Sequence, residues 1–393
     1  MAGKRKDSKG RILRTGESQR PDGRYCYKYV GTDGKPKFLY AWKLEPTDRT
    51  PKGKRAGPSL REQEKEAQRD QLDGIDHSGA NMTVSELYAR HIGLKPNVKP
   101  NTVLGRERRK KMLEDDPLGS CRISSVKQSD AKAWAVRMKS KGVAYNSIRS
   151  DKSALKAAFR TAVNDDLVRK NPFDFKLVDV IENDTGRKQA LTPEQEKDLL
   201  EFIRQDPIYR RYYDDVVILL GTGLRISEFC GLTVKDVDLE NNVLSIDHQL
   251  LKNISIGRYV GDPKSHSGIR KIYMGPEVQA AFKRVLERPG TCDVEINGYS
   301  GFLFTNKNGQ PRTAREYERI FRRLREKHSE ALPDELTPHT LRHTFCTRMA
   351  HRNMNPQDLQ YIMGHSTLSL TMEYYTHTDG NTAVAEMQRL LAG

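Results

Sequence analysis

The longest uninterrupted apolar run in this 393-residue sequence, Val216–Leu220, is only five residues long. A helix that crosses a bilayer needs about 20 such residues, so the sequence predicts no membrane-spanning segment. The first residues, MAGKRKDSKGR, are charged, and the apolar stretch of a secretory signal does not follow them. With 36% hydrophobic residues the chain can still build a core, and its length favours two to three domains.

The cysteines are odd in number, scattered, and without the Cys-x-x-Cys spacing of a zinc ribbon. They are Cys26, Cys121, Cys230, Cys292 and Cys346. This usage is typical of reduced thiols in a cytoplasmic protein. We therefore expect neither a disulfide framework nor a structural metal.

The excess of basic over acidic residues is confined to the first half of the chain. Residues 1–180 carry 40 basic and 23 acidic side chains, whereas residues 181–393 carry 28 and 29. This excess favours a polyanionic partner such as double-stranded DNA, although a merely soluble basic surface has the same composition. The near-neutral second half indicates a different task there.

Residues 1–77 have the pattern of a small α+β domain, a three-stranded sheet with one helix, after a disordered arm over residues 1–10. Alternation at Tyr25, Tyr27 and Tyr29 indicates a strand, and Ser59 with Glu62 forms a capping box that opens the helix. The basic residues near the strands are Arg24, Lys28, Lys35 and Lys37. Such a sheet can enter a DNA major groove, and a solvated face explains the same side chains equally well.

Residues 82–175 predict an all-α domain of four or five helices. Thr83 and Glu86 form a second capping box, and helices are expected over about 129–139 and 145–164. A basic run lies on a further helix, and its DNA-contact candidates are Arg106, Arg109 and Lys110. The third predicted domain, residues 187–393, is mainly helical with a β-segment over about 243–274.

The chemistry-bearing residues of the third domain fall in short motifs. The glycine turn of G-T-G-L-R-I-S-E presents Arg225 at a helix start, and in P-H-T-L-R-H both His339 and Arg342 lie on one helix face. A later helix ends before His365, and Tyr375 follows ten residues on. Arginine forks bind phosphate, histidines donate hydrogen bonds or move protons, and a deprotonated tyrosine is a nucleophile. The set therefore suits phosphoryl transfer without a metal or another cofactor.

Several neighbours of these residues have structural explanations. His343 is expected to pack or cap, Glu228 to support the Arg225 turn by a hydrogen bond, and Asp214 with Asp215 to form a solvated helix face. His339 and His343 have the spacing of a zinc helix, but threonine stands where zinc proteases have glutamate, so we expect no metal.

The motifs G-T-G-L-R-x-S-E, P-H-x-L-R-H-T-F, G-H and Y-x-H resemble those of the tyrosine recombinases, the family of phage integrases and Xer recombinases. They occur in the family order over roughly residues 190–380. The layout of a small arm-binding domain, a helical core-binding domain and a catalytic domain resembles the integrases of conjugative transposons. The resemblance implies a multidomain tyrosine recombinase fold.

The same resemblance implies residue roles. Arg225 and Arg342 match the family's catalytic arginines, His339 and His365 its two histidine positions, and Tyr375 its nucleophile. The family's lysine precedes an R-x-I motif, which indicates Lys264, although relatives often carry a second basic residue where this chain has His266. Tyr374 is the rival nucleophile, but the family places the tyrosine two residues before a histidine, which favours Tyr375.

The resemblance implies a site-specific recombinase of a mobile genetic element, acting in transposition and DNA integration through a 3′-phosphotyrosyl intermediate and a Holliday junction. It also implies a homotetramer on DNA, in which the apolar stripe of residues 384, 387 and 391 docks on a neighbouring subunit; docking within the same chain is the alternative. The sequence leaves open whether a small directionality factor takes part. A type IB topoisomerase-like enzyme and a catalytically silent DNA-binding regulator of the same fold are the alternative functions.

Overall fold

The computed structural model describes most of the chain. The described residues are 5–31, 35–72, 82–186, 189–288, 294–329, 332–333, 335–375, 384, 387–388 and 391, with the backbone alone for 70–72. They form two compact units, residues 1–185 and residues 186–393. No helix among the described residues is long and apolar enough to cross a bilayer.

The first unit begins with an antiparallel sheet covered by a helix. Its elements are β1 (Glu17–Gln19), β2 (Tyr25–Val30), β3 (Pro36–Ala41) and α1 (Leu60–Leu72). The strands lie in the order β1-β2-β3. Tyr25 and Ala41 are opposite each other in the register and pack with Leu44 and Leu60 in a small core. The predicted three-stranded sheet with one helix is confirmed.

Residues 5–10 are not a disordered arm, and that prediction was wrong for them. Lys6 pairs with Ile12 in an antiparallel bridge. The Asp7 carboxylate lies 2.8 Å from Nε of Arg11 and accepts a hydrogen bond from the Tyr25 hydroxyl. The hydrogen bond from Tyr25 anchors the segment to β2; residues 1–4 lie outside the described part of the chain.

The rest of the first unit is helical. Its helices are α2 (Val84–Gly93), α3 (Pro100–Glu114), α4 (Pro117–Ser120), α5 (Gln128–Ser140) and α6 (Tyr145–Asn164). They surround a core separate from that of the sheet, in which Phe173 packs edge-on to Trp134 and against Phe159. The bounds of α6 are those that the sequence predicts, because its apolar stripe is long and regular.

The second unit is mainly helical with two small sheets. Its elements are α7 (Pro193–Gln205), α8 (Tyr213–Thr222), α9 (Ile226–Gly231), β4 (Val237–Asp238), β5 (Val243–Ile246), β6 (Gln249–Asn253), β7 (Gly257–Gly261), β8 (Arg270–Tyr273), α10 (Pro276–Leu286), α11 (Ala314–Lys327), α12 (Pro338–His351), α13 (Pro356–Met363) and α14 (Leu368–Met372). One sheet has the order β4-β5-β8, and β6 and β7 form a hairpin. The mainly α domain with a small sheet is confirmed.

Asp214 and Asp215 are buried and do not form a solvated face, so that prediction was wrong. Oδ1 of Asp214 lies 2.6 Å from Nη2 of Arg284, and both carboxylates contact Arg288. Asp215 also accepts a hydrogen bond from the Tyr317 hydroxyl. Helix α8 is buried on nearly all sides, so its charged first turn has to find ion-pair partners on its neighbours.

Two carboxyl groups, those of Glu17 and Glu64, lie buried side by side between the sheet and α1. Arg61 pairs with Glu17, and Arg14 lies near Glu64. Burial and the Glu17 charge raise the pKa of Glu64 to about 7. The usual carboxyl value is 4.5, so between these values the folded state binds a proton that the unfolded state lacks. The free energy of unfolding therefore falls as pH rises through this window.

We expect Glu64→Gln, which keeps the shape of the protonated side chain, to stabilise the sheet–helix module at pH 8 by on the order of 2 kcal/mol. At pH 4.5 the variant and the parent should be equally stable. Hydrogen–deuterium exchange of the β2 peptide in the full chain measures this at each pH. Glu66→Gln, on the exposed face of α1, is the matched control. A stabilisation of equal size at both pH values would contradict the explanation that Glu64 binds a proton in the folded state.

Candidate active site

Arg225 lies in the turn between α8 and α9, at the N-cap of α9. Gly223 ends α8 with a left-handed φ of 63°, and a Cβ there would lie 2.4 Å from the Phe345 ring, so only glycine fits. The Arg225 backbone N–H and Nη1 both donate to the Glu228 carboxylate, and Nη2 donates to the Gly364 carbonyl at 2.6 Å. Glu228 therefore supports the Arg225 turn, as the sequence predicts.

Arg342 lies beside this turn. Thr337 caps α12 and places Arg342 one turn into the helix, where its side chain is almost wholly buried. Nη1 donates to the Gly223 carbonyl at 2.7 Å and Nη2 to the Met363 carbonyl. Burial and the Arg225 charge lower the pKa of Arg342 to about 9. Its hydrogen bonds go to neutral carbonyls, so they leave its charge uncompensated.

A third guanidinium, that of Arg270 on β8, also belongs to this group. Its Nη2 lies 2.9 Å from Oε2 of Glu228. Burial opposes ionisation of Glu228, but the charges of Arg270, Arg225 and Arg342 hold its pKa below the usual value. The three cations around this carboxylate leave an excess of positive charge, which an anionic ligand would neutralise. In the sequence Arg270 stands out only as the arginine of the R-x-I motif, which does not reveal this role.

His365 follows α13 directly. Gly364 ends the helix with φ 61°, and Nδ1 of His365 lies 3.0 Å from the Thr371 hydroxyl. Burial and the charges of Arg342 and Arg225 lower the pKa of His365 to about 4, so the ring is neutral near pH 7. The charge of His339, which is exposed on α12, contributes to the same shift. The structure thus brings His365 close to the arginines and His339 close to His365.

Lys264 and Tyr375 have different surroundings. Lys264 is exposed on the turn between β7 and β8. The Tyr375 hydroxyl donates to the Met354 carbonyl at 2.5 Å, beyond the end of α12. Burial raises the pKa of Tyr375.

Tyr374 is the tyrosine nearer to the arginines. Its ring lies 4.8 Å from that of His343 and 6.2 Å from that of His365, centre to centre. Burial raises its pKa to about 12 although the Arg342 charge opposes this shift. Tyr374 also packs on the cluster that contains Phe345. The contact between the Tyr374 and His343 rings gives His343 the packing partner that the sequence predicts.

The DNA-contact candidates on the sheet of the first unit do not share one face. Lys28 is exposed opposite Phe38, whereas the register places Lys37 on the face that carries the core. Arg24 lies over the Tyr40 ring on the same side as Lys28, and Lys35 is exposed just before β3. Arg24 and Lys28 therefore present one cationic, aromatic face.

The candidates on α3 already have protein partners. Arg106 donates to the Lys95 carbonyl at 2.7 Å, and Arg109 pairs with the buried Asp151. Lys110 pairs with Glu107 one turn earlier. The sequence showed the basic run but not the buried carboxylate that engages it.

Helix α11 carries a basic stripe that our sequence analysis missed. The arginines exposed along it are Arg315, Arg319, Arg322 and Arg323. The opposite face, with Tyr317 and Phe321, is buried. The helical spacing of the arginines was the available signal, but the near-zero charge of the whole half concealed it.

Asp236, Asp247 and His248 are the group among the described residues with metal-ligand spacing. Nδ1 of His248 lies 2.5 Å from the Asp247 carboxylate, and Nε2 lies 2.7 Å from the Gly231 carbonyl. Both ring nitrogens therefore have protein partners, and a metal ion would have to displace one of them.

Comparison with known proteins gives matches along nearly the whole chain. Residues 189–381 match the Phage integrase family, and residues 1–71 match the DNA binding domain of Tn916 integrase. The transposase of transposon Tn1545 from Streptococcus pneumoniae is 51% identical over 99% of this chain and 97% of its own. The transposase of Tn916 from Enterococcus faecalis is 50% identical over the same shares.

Solved structures give the same relationship. The Tn1549 transposon integrase in complex with a circular intermediate DNA superposes with a TM-score of 0.76 at 55% identity, covering 79% of this chain and 99% of that one. A lambda integrase dimer bound to a core site is 17% identical with a TM-score of 0.54, over 94% and 98% of the two chains, and shares the fold.

The neutral state of His365 can be measured by NMR. We expect its ring to stay unprotonated down to about pH 5, because burial and two guanidiniums oppose its positive charge. Arg342→Met removes one of these charges at similar volume and should raise the pKa of His365. The assignment comes from loss of the resonance in His365→Asn. An unshifted histidine titration, with a midpoint near 6.5, would contradict the placement of His365.

Proposed function

We propose that this chain, which belongs to the phage integrase family of tyrosine recombinases, cleaves and rejoins the DNA of a mobile genetic element with six side chains of its second unit. These are Arg225, Lys264, His339, Arg342, His365 and Tyr375. In this assignment residues 1–77 bind arm-type DNA sites, residues 82–175 bind the core site, and residues 187–393 carry out catalysis.

The observation that carries the proposal is the excess of positive charge around Arg225 and Arg342, where three guanidiniums surround the single carboxylate of Glu228. Two planar guanidiniums held next to each other by Glu228 and backbone carbonyls fit the two non-bridging oxygens of a phosphodiester. Because they are fixed before DNA arrives, they can stabilise the charge that develops as phosphorus becomes five-coordinate. They supply the stabilisation that metal ions give in other phosphoryl transferases.

In the proposed reaction the Tyr375 oxygen forms a bond to phosphorus while the bond from phosphorus to the 5′-oxygen breaks. His339 accepts the tyrosine proton, and Lys264 protonates the departing 5′-oxygen. His365, neutral at physiological pH, donates a hydrogen bond to a phosphate oxygen. The 3′-phosphotyrosyl bond conserves the energy of the original linkage. A 5′-hydroxyl of the partner strand can therefore reverse the step, and two such exchanges pass through a Holliday junction.

The position of Tyr375 requires a rearrangement before attack. Its hydroxyl is bonded to the Met354 carbonyl and would have to leave this acceptor to attack a phosphate. We infer that DNA binding and subunit assembly move the segment that follows α14 and bring Tyr375 to the phosphate. Lys264, on an exposed turn, approaches the leaving oxygen in the same transition.

The proposed assembly is a homotetramer on two duplexes. A lambda integrase tetramer bound to a Holliday junction has the same fold. The described tail residues Val384, Met387 and Leu391 are 58%, 63% and 76% exposed in this chain, which supports docking on a neighbouring subunit over docking in cis. A small directionality factor is a further proposed partner, which would set the balance between integration and excision.

The first unit supplies the proposed DNA affinity. Its first 71 residues match the DNA binding domain of Tn916 integrase, and its net charge is positive. Arg24 and Lys28 lie on one face of the sheet with Phe38 and Tyr40. The major groove of DNA admits a β-ribbon. We propose that this face contacts the arm-type DNA.

The choice of nucleophile gives a direct test. We expect Tyr375→Phe to abolish the covalent complex on a nicked DNA substrate and Tyr374→Phe to retain it, because phenylalanine removes only the attacking oxygen. Protease digestion and mass spectrometry then identify the modified peptide. Tyr374 is a demanding matched control because it lies nearer to Arg342 in this structure. An adduct on Tyr374, or relaxation of supercoiled DNA without recombinant products, would overturn the proposal.

The arginine pair gives a second test. Arg225→Lys and Arg342→Lys keep the charge but lose the planar fork, so we expect cleavage to slow by two or more orders of magnitude, equivalent to roughly 3 kcal/mol. DNA affinity should stay within about threefold, since contacts elsewhere on the phosphate backbone dominate it. An arginine-to-lysine variant of the Tn1549 integrase is known in complex with DNA. Parent-like cleavage by either variant would remove that arginine from the scissile phosphate.

A further inference from the structure

We propose that Arg270 is a positioning residue that fixes the Arg225 turn, the turn of Lys264 and the segment of His365 relative to one another; this proposal rests on the proposed function. Its side chain is wholly buried at the start of β8. It donates hydrogen bonds to the segments of Glu228 and Ile362, which are distant from it in sequence, and to the turn that directly precedes it. The acceptors are the Glu228 carboxylate, the Ile362 carbonyl and the Gly268 carbonyl.

The contact with Glu228 bears on the charge of Arg225. One carboxylate oxygen accepts from Nη1 of Arg225 at 2.6 Å, and the other accepts from Nη2 of Arg270 at 2.9 Å. Without Arg270, the full negative charge of Glu228 would face Arg225 and compete with a phosphate for its guanidinium. Arg270 compensates the carboxylate, so Arg225 keeps positive charge for the substrate.

The contact with Gly268 bears on Lys264. Gly268 ends the turn that begins at Pro263, and a Cβ at residue 268 would lie 2.4 Å from Cβ of Pro263, so the turn is tightly closed. Nη1 of Arg270 donates to the Gly268 carbonyl at 2.8 Å. This bond holds the backbone of the turn in place. The side chain of Lys264 extends from the same turn and is exposed.

The contact with Ile362 bears on His365. Nε of Arg270 donates to the Ile362 carbonyl at 2.6 Å, in the last turn of α13. At Gly364 the three segments converge, because a Cβ there would lie 3.0 Å from Nη1 of Arg270, 3.1 Å from the Ser267 carbonyl oxygen and 3.2 Å from Nη1 of Arg225. The peptide preceding His365 is therefore set directly against the Arg270 side chain.

Arg270 does not contact the substrate in this proposal. Each of its three guanidinium nitrogens already donates to a protein acceptor, and its side chain has no exposed surface. A buried arginine of this kind is costly compared with an apolar residue of similar size unless its bonds are all made. The geometry it imposes on catalytic groups gives a reason for an arginine at this position.

The test compares Arg270→Lys with Arg284→Lys in the full-length protein. Arg284 forms a charged pair with the buried Asp214 in the same unit, so it controls for loss of an ion pair away from the site. We expect Arg270→Lys to slow covalent-complex formation at saturating nicked DNA by about a hundredfold, the effect of misplacing catalytic groups by about 1 Å. DNA affinity should stay within about threefold, and Arg284→Lys should cleave at the parent rate.

A substrate with a bridging 5′-sulfur separates positioning from general loss of structure. A thiolate leaves without being protonated, so this substrate does not need the proposed acid, Lys264. The deficit of Arg270→Lys should therefore be smaller on the sulfur substrate than on ordinary DNA. An equal deficit on both substrates, or parent-like cleavage of ordinary DNA, would overturn the role of Arg270.

A second variant guards against misfolding. Glu228→Gln combined with Arg270→Gln removes the buried carboxylate together with the buried cation that compensates it, and it should show the same smaller deficit on the sulfur substrate. Parent-like cleavage of ordinary DNA by this double variant would overturn the proposal as well. If the parent protein itself forms no adduct on Tyr375, the proposed function fails, which is distinct from failure of the Arg270 proposal alone.

Discussion

The arrangement of the site in the second unit depends on the ion pairs of the buried Glu228 carboxylate with Arg225 and Arg270. With 1% of its surface exposed, it must be compensated where it stands, because an unpaired buried charge is strongly destabilising. Arg225 satisfies it from the same helix start, through side chain and backbone, and Arg270 satisfies it from β8. One acidic group therefore joins a helix start to a strand, and the bond from Arg270 to Ile362 extends the connection to α13.

The site holds more arginines than carboxylates, and this excess of positive charge determines what it can bind. Arg342 is buried beside Arg225 and bonds only to carbonyl oxygens, those of Gly223 and Met363. Two cations held close together without a second carboxylate repel each other, and a phosphate would relieve that repulsion. The positive potential also keeps His365 neutral. These buried cations are therefore arranged to receive an anion, whereas the Tyr375 hydroxyl donates to the Met354 carbonyl.

Local sequence patterns predicted local structure well. The bounds of α6, the capping box of Thr83 with Glu86, and the turn that presents Arg225 follow from short-range spacing and were confirmed. The errors lie where a distant partner decides. Asp214 looks solvated on its own helix but pairs with Arg284, and Asp7, in a segment expected to be disordered, is bonded to Tyr25.

The sequence by itself determined the family, the order of the elements and the residue types of the site, because motifs and helical periods are encoded within about ten residues. Only the tertiary structure decided which groups meet. It places Arg270, 42 positions after Glu228, on the same carboxylate. It also places Tyr374 near Arg342 and His365, and it bonds the Tyr375 hydroxyl to the Met354 carbonyl. Such pairings depend on how charge is compensated in a shared interior, which no short segment of the chain specifies.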